Sequence, residues 1–275
     1  MSPTIARTRA DFDAWRSEVD RVAVVLTMGA LHEGHASLVR LAQKTGLPVV
    51  LTVFVNPMQF AAGEDLERYP RTEDHDLKLA ETLGVECVWL PEIADVYPSV
   101  VEPIEPGALG EVLEGAARPG HFTGVLTVVH RFFDMIRPDV AVFGKKDRQQ
   151  LILIEKMVAE LELGIEIVRA ETVRENDGLA MSSRNRYLDS EQRVRARVLS
   201  TALRTAAEAG RSGSVERVRK SAQDLLGGID LDYLVVTDAH LNEVSEGFCG
   251  PAIVLVAARI GSTRLIDNVD VEVSC

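Results

Sequence analysis

The sequence predicts an α/β protein in which an open, doubly wound parallel sheet precedes a smaller C-terminal α+β domain. Three observations lead to this class. Short apolar runs rich in β-formers recur through the first two thirds of the chain, and segments of helical periodicity separate them. After Val173 the sequence becomes polar and rich in turn-forming residues. Near-continuous apolar runs are typical of strands buried on both faces, as in parallel sheets. Strands alternating with helices predict helices on both faces and ligands at the carboxyl ends of the strands.

The parallel strands are predicted from five apolar runs. These runs occupy residues 21–27, 48–55, 86–91, 139–144 and 165–173. Helices are expected between them at about 35–45, 72–83, 122–136 and 147–163. The third helix carries the clearest pattern, because its apolar residues recur at helical spacing and the stripe ends at Pro138.

The two domains are predicted at residues 1–175 and 176–275, because a polar, turn-rich stretch follows the last parallel strand. A long charged helix should then begin at about Asp189, which forms a capping-box pattern with Gln192, and end at about Ala209. The remaining elements are a helix at about 214–226 and strands at 231–239, 251–260 and 262–269.

Composition excludes several classes of protein. The chain has 275 residues, 46% of them apolar and 26% charged, which is typical of a folded protein. A net charge of −12 argues against a protein that coats nucleic acid, although it leaves room for a local basic pocket. Cys87, Cys249 and Cys275 have no metal-type spacing and predict thiols in a reducing compartment. No apolar run approaches the ~18 residues of a membrane span, and the N-terminus lacks a signal-peptide core, so a cytoplasmic location is expected.

The segment LTMGALHEGHASLV, which directly follows the first predicted strand, is the first candidate site. Zinc is disfavoured, because His32 and His35 are three residues apart, rather than four as in H-E-x-x-H, and no third ligand is near. A P-loop is excluded, since His35 and Ala36 stand where that loop needs Lys and Ser or Thr.

Two interpretations of the histidines remain. In the first, a glycine-bearing turn opens a helix at about His35, so that free backbone N–H groups, the helix dipole and both imidazoles face a phosphate. In the second, His32 and His35 only cap the helix and satisfy backbone groups. Their position at the carboxyl end of a strand favours the phosphate site.

Motifs along the whole chain resemble those of one family. TMGALHEGH resembles the HxGH signature of the nucleotidyltransferase superfamily. Within that superfamily, seven stretches of the chain resemble, in order, the motifs of the pantothenate synthetase (pantoate–β-alanine ligase) family. They are TMGALHEGHASLV, VFVNPMQF, RYPRT, RPGHFTGVLTVV, FGKKDRQQL, GLAMSSRN and ARIGSTRLIDN. The resemblance implies a Rossmann-like fold and ATP-dependent condensation of (R)-pantoate with β-alanine to pantothenate, the last step of its biosynthesis. It further implies a pantoyl-adenylate intermediate, release of AMP and diphosphate, Mg²⁺ bound with ATP, and a homodimer.

The resemblance also implies the catalytic and ATP-binding residues. His35 takes the role of proton donor, His32 is its partner on the phosphates, and Lys146 is the key cation. A pair of lysines, Lys145 and Lys146, is unfavourable at a helix N-terminus and so favours an anionic ligand there. The alternative is a solvated charge cluster. The ATP contacts implied are Met28, Gly29, Ala30, Leu31, His32, Glu33, Gly34, His35, Gly144, Lys145, Lys146, Asp147, Val173, Met181, Ser182, Ser183 and Arg184.

Amide side chains are implied to select the acid and the amine. By resemblance Gln59 and Gln150 bind pantoate, and Gln59 and Asn56 bind β-alanine. An amide can donate and accept at once, as a hydroxy acid requires. His121 is assigned no chemical role, and no metal ligand is indicated.

The chain departs from the family pattern at a few positions. Leu26 replaces a common proline, and Lys145 and Arg148 stand where Glu and Tyr are frequent, so a more positive local field is expected. Two other functions remain open: another nucleotidyltransferase that stops at nucleotide transfer, and a non-catalytic ATP-binding module. A tRNA-charging role is disfavoured, because the chain is acidic and has no evident anticodon-binding domain.

Overall fold

The computed structural model describes residues 2–61 and 63–274. The chain forms two compact units, and the first contains the residues up to Lys145 together with Gln150–Glu171. The second contains Lys146–Gln149 together with the residues from Thr172 onward. The short segment Lys146–Gln149 therefore groups with residues that follow it by more than twenty positions, which local sequence patterns do not reveal.

The first unit is built on a six-stranded sheet, and every strand pair described in it is parallel. Its strands are β1 (Thr4–Ala6), β2 (Ala23–Thr27), β3 (Val49–Val53), β4 (Cys87–Trp89), β5 (Val140–Gly144) and β6 (Glu166–Ala170). They lie in the order β1-β4-β3-β2-β5-β6, which confirms the predicted doubly wound α/β class. The five predicted strands are all present but shorter than expected, and β1 was missed because three residues show no periodicity.

Helices connect the strands and cover the sheet. They are α1 (Arg9–Ser17), α2 (Glu33–Gln43), α3 (Glu73–Leu83), α4 (Ile93–Val96), α5 (Glu114–Ala117), α6 (His121–Ile136) and α7 (Arg148–Glu160). α6 is the most deeply buried of them, and its apolar stripe packs in one core with Phe54 and Trp89 of the sheet region. Three residues between β5 and α7, Lys145–Asp147, form a 3-10 turn; the predicted helix had included the last of them.

The second unit packs helices on a small antiparallel sheet. Its elements are the 3-10 turn Ser183–Tyr187, the helices α8 (Ser190–Gly210) and α9 (Val215–Leu225), and the strands β7 (Asp230–Thr237), β8 (Gly250–Ile260) and β9 (Thr263–Val273). The predicted capping box is present: the Gln192 N–H donates to Asp189 Oδ1 at 2.8 Å, and the Asp189 N–H donates to Gln192 Oε1 at 3.3 Å.

The predictions about the cysteines have different outcomes. Cys87 is a buried thiol, as predicted, and burial raises its pKa to about 12. Cys249 is disulfide-bonded, so the prediction of a thiol is wrong there, because separation along the sequence does not reveal proximity in space. The third predicted thiol, Cys275, lies outside the described residues.

Within the ranges that the structure describes, every helix is too short or too polar to cross a membrane.

Candidate active site

The carboxyl edge of the parallel sheet is open between β2 and β5. The two strands pair only over their first two residues, up to Val24 and Ala141, so that their last residues, Thr27 and Gly144, are not paired with each other. The strand order also reverses here, because β3, β4 and β1 lie on one side of β2 while β5 and β6 lie on the other. Open α/β sheets bind ligands at such a switch point.

The loop after β2 adopts a conformation that needs small residues. Gly29 and Ala30 have positive φ angles of 78° and 51°. A Cβ added at Gly29 would lie 3.0 Å from Asp76 Oδ2 and 3.0 Å from Val53 Cγ1. Both the backbone conformation and the lack of space therefore favour glycine in the loop that follows the strand.

A buried carboxylate on α3 holds this loop in place. Asp76 is 1% exposed, and its Oδ2 accepts the Ala30 N–H at 3.0 Å. Its Oδ1 accepts the Leu31 N–H at 2.8 Å and the Thr72 hydroxyl at 3.1 Å. Asp76 thus acts as an internal anion for amides that would otherwise face a ligand.

The prediction of free amides in this turn is therefore wrong for Ala30 and Leu31. Besides the two amides bound to Asp76, the Gly29 N–H donates to Thr27 Oγ1 at 3.1 Å. The His32 and Gly34 N–H groups also donate within the loop, to His35 Nδ1 and His32 Nδ1. The contacts of this segment with ATP remain a prediction, but five of its backbone donors are already used by the protein.

The two histidines cap α2, which begins at Glu33 rather than at about His35. His32 Nδ1 accepts the Gly34 N–H at 3.1 Å, and His35 Nδ1 accepts the His32 N–H at 3.3 Å. The ring centroids lie 4.1 Å apart. The capping interpretation is therefore confirmed for the Nδ1 atom of each ring, which accepts a backbone N–H.

The same contacts determine where the imidazole protons lie. A ring nitrogen that accepts an N–H bond carries no proton, so each neutral ring holds its proton on Nε2. His32 and His35 are both half-buried, and each is thereby oriented with an Nε2–H donor. Capping and phosphate binding are compatible, because they use opposite nitrogens.

Asn56 follows β3 and is 1% exposed. Its Oδ1 accepts the Tyr97 hydroxyl at 2.8 Å and the Met58 N–H at 3.2 Å. Its Nδ2 donates to Gln59 Oε1 at 3.2 Å and to the carbonyl oxygen of Gly124 at 3.1 Å. All four hydrogen-bonding positions of this amide are thus occupied. The geometry favours Asn56 as a support for Gln59, and its direct contact with β-alanine stays a prediction.

Gln59, which follows β3, contacts the loop that follows β2. Its Nε2 lies 3.2 Å from Met28 Sδ, in the loop after β2. A thioether sulfur is a weak acceptor, so a substrate oxygen would be a stronger partner for this amide. Gln59 is half-buried, which leaves part of its side chain accessible.

The backbone of Gln59 is held by a charged network. Its carbonyl oxygen accepts the Nδ1–H of His121 at 2.9 Å and an Nη2–H of Arg118 at 3.3 Å. Arg118 also donates to both carboxylate oxygens of Glu64, at 2.8 and 2.7 Å, and lies 2.8 Å from His121 Nε2. Because a guanidinium has no acceptor, His121 Nε2 must accept and the ring proton lies on Nδ1.

This network explains the protonation state of His121. Burial is the main cause that lowers its pKa, to about 4, and the positive charge of Arg118 acts in the same direction. The ring is therefore neutral near pH 7. His121, for which no chemical role was predicted, supports the turn that carries Gln59.

The segment after β5 divides between the two units. In the first unit Lys145 forms an ion pair with Glu171, and Gln150 is half-buried. In the second unit Lys146 Nζ lies 3.4 Å from Asp147 Oδ1, and the carbonyl oxygen of Lys146 accepts an N–H of Asn268 Nδ2 at 2.8 Å.

The cations after β5 have acidic partners, and the expected more positive field stays a prediction. Arg148 is 5% exposed and donates to Asn268 Oδ1 at 3.2 Å and to Asp270 Oδ1 at 2.6 Å. Its charge is therefore offset by Asp270, and that of Lys145 by Glu171. These partners could not be recognised from the sequence, because Asp270 lies more than a hundred residues along the chain.

The remaining predicted ATP contacts, Val173 and Met181–Arg184, lie at a hairpin of the second unit and in the turn that follows it. The Met181 N–H donates to the Val173 carbonyl oxygen at 2.9 Å, so these two residues are neighbours. Ser182 caps the following 3-10 turn, since its Oγ accepts the Arg184 N–H at 3.3 Å. Asn185 closes the turn through Nδ2, which donates to the Ala180 carbonyl oxygen at 3.0 Å.

Comparison with known proteins agrees with the motifs. A family model described as pantoate-beta-alanine ligase matches residues 1–270. The chain belongs to this family. Among curated ligases, pantothenate synthetase of a Nocardioides species is 52% identical over 285 residues, covering 97% of this chain and 85% of that protein.

Solved structures of pantoate–β-alanine ligases share the fold. Pantothenate synthetase from Thermus thermophilus has a TM-score of 0.90 and 41% identity, covering 99% of this chain and 100% of that one. The Francisella tularensis ligase, described as complexed with beta-gamma ATP and beta-alanine, has a TM-score of 0.81 and 31% identity, with 97% of each chain covered. The present chain is accordingly an enzyme that joins pantoate to β-alanine, forming pantothenate.

Sequence reasoning missed several residues that support the ligase site. Asp76 could not be distinguished from the other acidic residues at the start of α3, although it is the one of them that is buried. Arg118 stands in the motif RPGHFTGVLTVV but was given no role, and no motif contains Glu64 or Tyr97. Their contacts join residues more than forty positions apart in the sequence.

Proposed function

We propose that this ligase activates pantoate with ATP as a pantoyl adenylate and then transfers the pantoyl group to β-alanine. In the first step a carboxylate oxygen of pantoate attacks the α-phosphorus, and the bond to diphosphate breaks. In the second step the β-alanine amine attacks the acyl carbon, loses a proton, and AMP leaves. Because the adenylate itself is the activated acyl donor, the enzyme needs no covalent nucleophile.

The observation that carries this proposal is the pair of oriented imidazoles at the open edge of the sheet. His32 and His35 hold Nδ1 on the backbone and present Nε2–H donors. Donors oriented in advance stabilise the negative charge that moves onto diphosphate as it leaves. His35 is assigned as the proton donor and His32 as its partner on the phosphates.

Gln59 is proposed as the residue that holds the acid. Its amide is oriented by Asn56 and lies against Met28, in the loop that carries the histidines. A carboxylate or hydroxyl oxygen of pantoate would replace the weak contact with sulfur, and β-alanine would approach beside it. Gln150, whose side chain hydrogen-bonds to none of the described residues, is proposed as the second pantoate amide.

The phosphate chain of ATP is proposed to bind Lys146 and the segment Met181–Arg184. The pair of serines, Ser182 and Ser183, supplies hydroxyl groups, and Arg184 supplies a guanidinium suited to phosphate oxygens. Val173 is proposed to contact adenine. The second unit, taken as residues 176–275, is proposed to act as a lid on the nucleotide-binding domain of residues 1–175.

Magnesium is proposed to enter as the Mg–ATP complex. Among the described residues no group of three or more His, Cys, Asp or Glu side chains is placed to hold a metal ion, so ATP oxygens would supply most of the ligands. By family resemblance the enzyme is further proposed to be a cytoplasmic homodimer. Analytical ultracentrifugation would test the dimer.

A three-substrate turnover assay tests the proposed reaction. Enzyme is mixed with Mg–ATP and pantoate, with and without β-alanine, and diphosphate, AMP and pantothenate are followed. Pantoate-dependent exchange of labelled diphosphate into ATP without β-alanine is expected, since the first step is reversible. Turnover that forms pantothenate without any such exchange would contradict the adenylate route, and absence of turnover would contradict the proposal as a whole.

Variants at the phosphate-binding groups should slow adenylate formation. His35→Ala and Lys146→Ala are each expected to reduce its rate by a factor of several hundred, since one oriented donor contributes ~3 to 4 kcal/mol to transition-state stabilisation. Lys156→Ala is the control, because Lys156 is an exposed lysine that pairs with Glu160 and is not among the implied ATP contacts. Single-turnover rates in which Lys156→Ala falls as far as Lys146→Ala would refute the separate role of Lys146.

A further inference from the structure

A cavity of about 440 Å³ lies in the second unit, between α8 and the hairpin that begins at Arg174. Its volume is in the range of sites for small molecules, roughly 300 to 1,000 Å³. Three arginines line it, namely Arg174, Arg197 and Arg204, in a chain of net charge −12. None of the proposed catalytic steps uses this cavity.

Arg197 and Arg204 give the cavity its positive charge. They are seven residues apart on α8, which is about two helical turns, so they share one face. Neither guanidinium donates a hydrogen bond to any residue that the structure describes. Two such groups at one cavity repel each other, and an anion bound between them would remove that repulsion.

Arg174 adds a positioned donor to the cavity. Its Nη1 donates to Asp267 Oδ2 at 2.6 Å and to the Gly178 carbonyl oxygen at 3.2 Å, and its Nη2 donates to Asp267 Oδ1 at 3.0 Å. Five N–H bonds are available on a guanidinium, so Nε and one Nη2 hydrogen have no partner among the described residues. The side chain is thus held rigidly with donors left for a ligand.

The acidic group at the cavity already has partners. Asp177 also lines it, but one carboxylate oxygen accepts the Leu179 N–H at 3.2 Å and the other accepts the Nε–H of Arg193 at 3.0 Å. Arg193 lies one turn before Arg197, does not line the cavity and pairs with Glu175 as well. The charge of Asp177 is thus partly offset, and three arginines face it across the cavity lining.

The rest of the wall is partly apolar. Leu203, Ala207 and Val269 line the cavity beside the arginines, and Ser200, Thr201 and Gly178 complete it. A small number of charged donors with an apolar wall suits an organic anion better than a bare inorganic ion. Arginine forks match the oxygens of a phosphate group in particular.

We propose that this cavity binds a small phosphate monoester, with its phosphate on Arg197 and Arg204 and its carbon part against Leu203, Ala207 and Val269. Binding would also restrain the hairpin of residues 174–180, because Arg174 and Gly178 form part of the wall. None of the lining residues is among those proposed to bind ATP, although Arg174 directly follows Val173, so the proposal does not rest on their roles.

Calorimetric titration of the full chain with phenyl phosphate and with inorganic phosphate tests the site. One saturable site is expected, with phenyl phosphate binding more tightly than inorganic phosphate because of the apolar wall. Binding should weaken at least tenfold in the double variant Arg197→Gln, Arg204→Gln. It should persist in Arg195→Gln, an exposed arginine of the same helix outside the cavity, and in Lys146→Ala, which removes a cation proposed to bind ATP.

Three outcomes would overturn the proposal. The first is the absence of saturable binding by either probe. The second is a loss of affinity in Arg195→Gln equal to that in the double variant, which would indicate only the general field of α8. The third is loss of binding in Lys146→Ala, which would place the probe at the ATP site. Pantothenate turnover should stay at the parent rate in the double variant, which shows that it is folded. Slower amide hydrogen exchange over residues 174–180 on addition of phenyl phosphate is the independent structural readout.

Discussion

At the scale of single residues, the site depends on buried polar groups that hold the reactive ones. His32 and His35 stabilise the start of α2 through Nδ1, and the same bonds fix the proton on Nε2. Asp76 takes the loop amides that were expected to bind phosphate. The phosphate contacts proposed for this loop therefore rest mainly on the imidazoles.

Asp76→Asn should destabilise the protein and slow catalysis together. An amide cannot accept at both positions, so one loop N–H would face an NH₂ group in a buried site. Hydrogen bonds to charged groups contribute ~1.5 to 3 kcal/mol each, and we expect a loss of about 2 kcal/mol in the free energy of unfolding, measured in urea. We also expect kcat to fall, because the histidine loop loses its support.

Asp74→Asn is the matched control for this prediction. Asp74 is exposed on the first turn of the same helix, and its replacement removes the same charge without touching the loop. An equal loss of stability in both variants would show that charge at the start of α3, rather than the loop contacts, is responsible.

At the scale of elements, the close packing of α6 against the turn at residues 57–59 positions Gln59. A Cβ added at Gly124 would lie 2.2 Å from the Met58 carbonyl oxygen and 2.7 Å from the Gln59 backbone nitrogen. These are backbone atoms, which cannot rotate away as a side chain can. Gly124 therefore allows the helix to contact the turn directly.

Gly124→Ala should push α6 and the turn apart. Alanine favours the helix by ~1 kcal/mol, but overpacking against backbone costs ~1 to 3 kcal/mol, so a net loss of about 1 kcal/mol of unfolding free energy is expected. KM for pantoate should rise more than kcat falls, as steady-state kinetics would measure. Gly247→Ala, at a position with open space, is the control. Unchanged KM in Gly124→Ala would separate this packing from substrate binding.

At the scale of the whole molecule, stability should depend on pH through His121. Its pKa is about 4 in the folded protein against about 6.5 in an unfolded chain. Between these values the unfolded state binds a proton that the folded state does not, so stability falls as the pH decreases from 6.5 towards 4 and is fully present above 6.5.

The expected size of this pH effect is about 2 kcal/mol between pH 6.5 and pH 4.5, since each unit is worth ~1.4 kcal/mol. Denaturation in urea at several pH values measures it. His121→Gln, which does not titrate, should be less stable at neutral pH but should lose less stability on acidification. Parallel pH profiles for the two proteins would show that His121 is not the responsible group.

The elements were predictable where the signal is local. The apolar runs located β2 to β6, and the stripe of α6 was recognised within one residue of its start, because periodicity and burial act over neighbouring positions. The edge strand β1 and the 3-10 turn at Lys145–Asp147 were missed, since three residues are too few to show a period.

The candidate site was predictable only in its outline. The glycine-bearing turn with His32 and His35 was evident after its strand, and the structure places it at the open edge between β2 and β5. The loop's anion partner was not evident, because Asp76 lies 46 residues from Ala30 and nothing in its neighbourhood distinguishes it from other helix-start acids.

The sequence by itself determined the fold class, the order of the main strands and helices, and the family. It did so because side-chain periodicity, caps and ordered motifs are properties of short stretches. Tertiary structure alone decided which loop amides are already bound, as Ala30 and Leu31 are to Asp76. It also decided that Asp270 offsets the charge of Arg148 and that the buried Asn56 supports Gln59. These outcomes depend on contacts between distant segments, and the pairing of a buried polar group is settled only when the chain brings its partner to it.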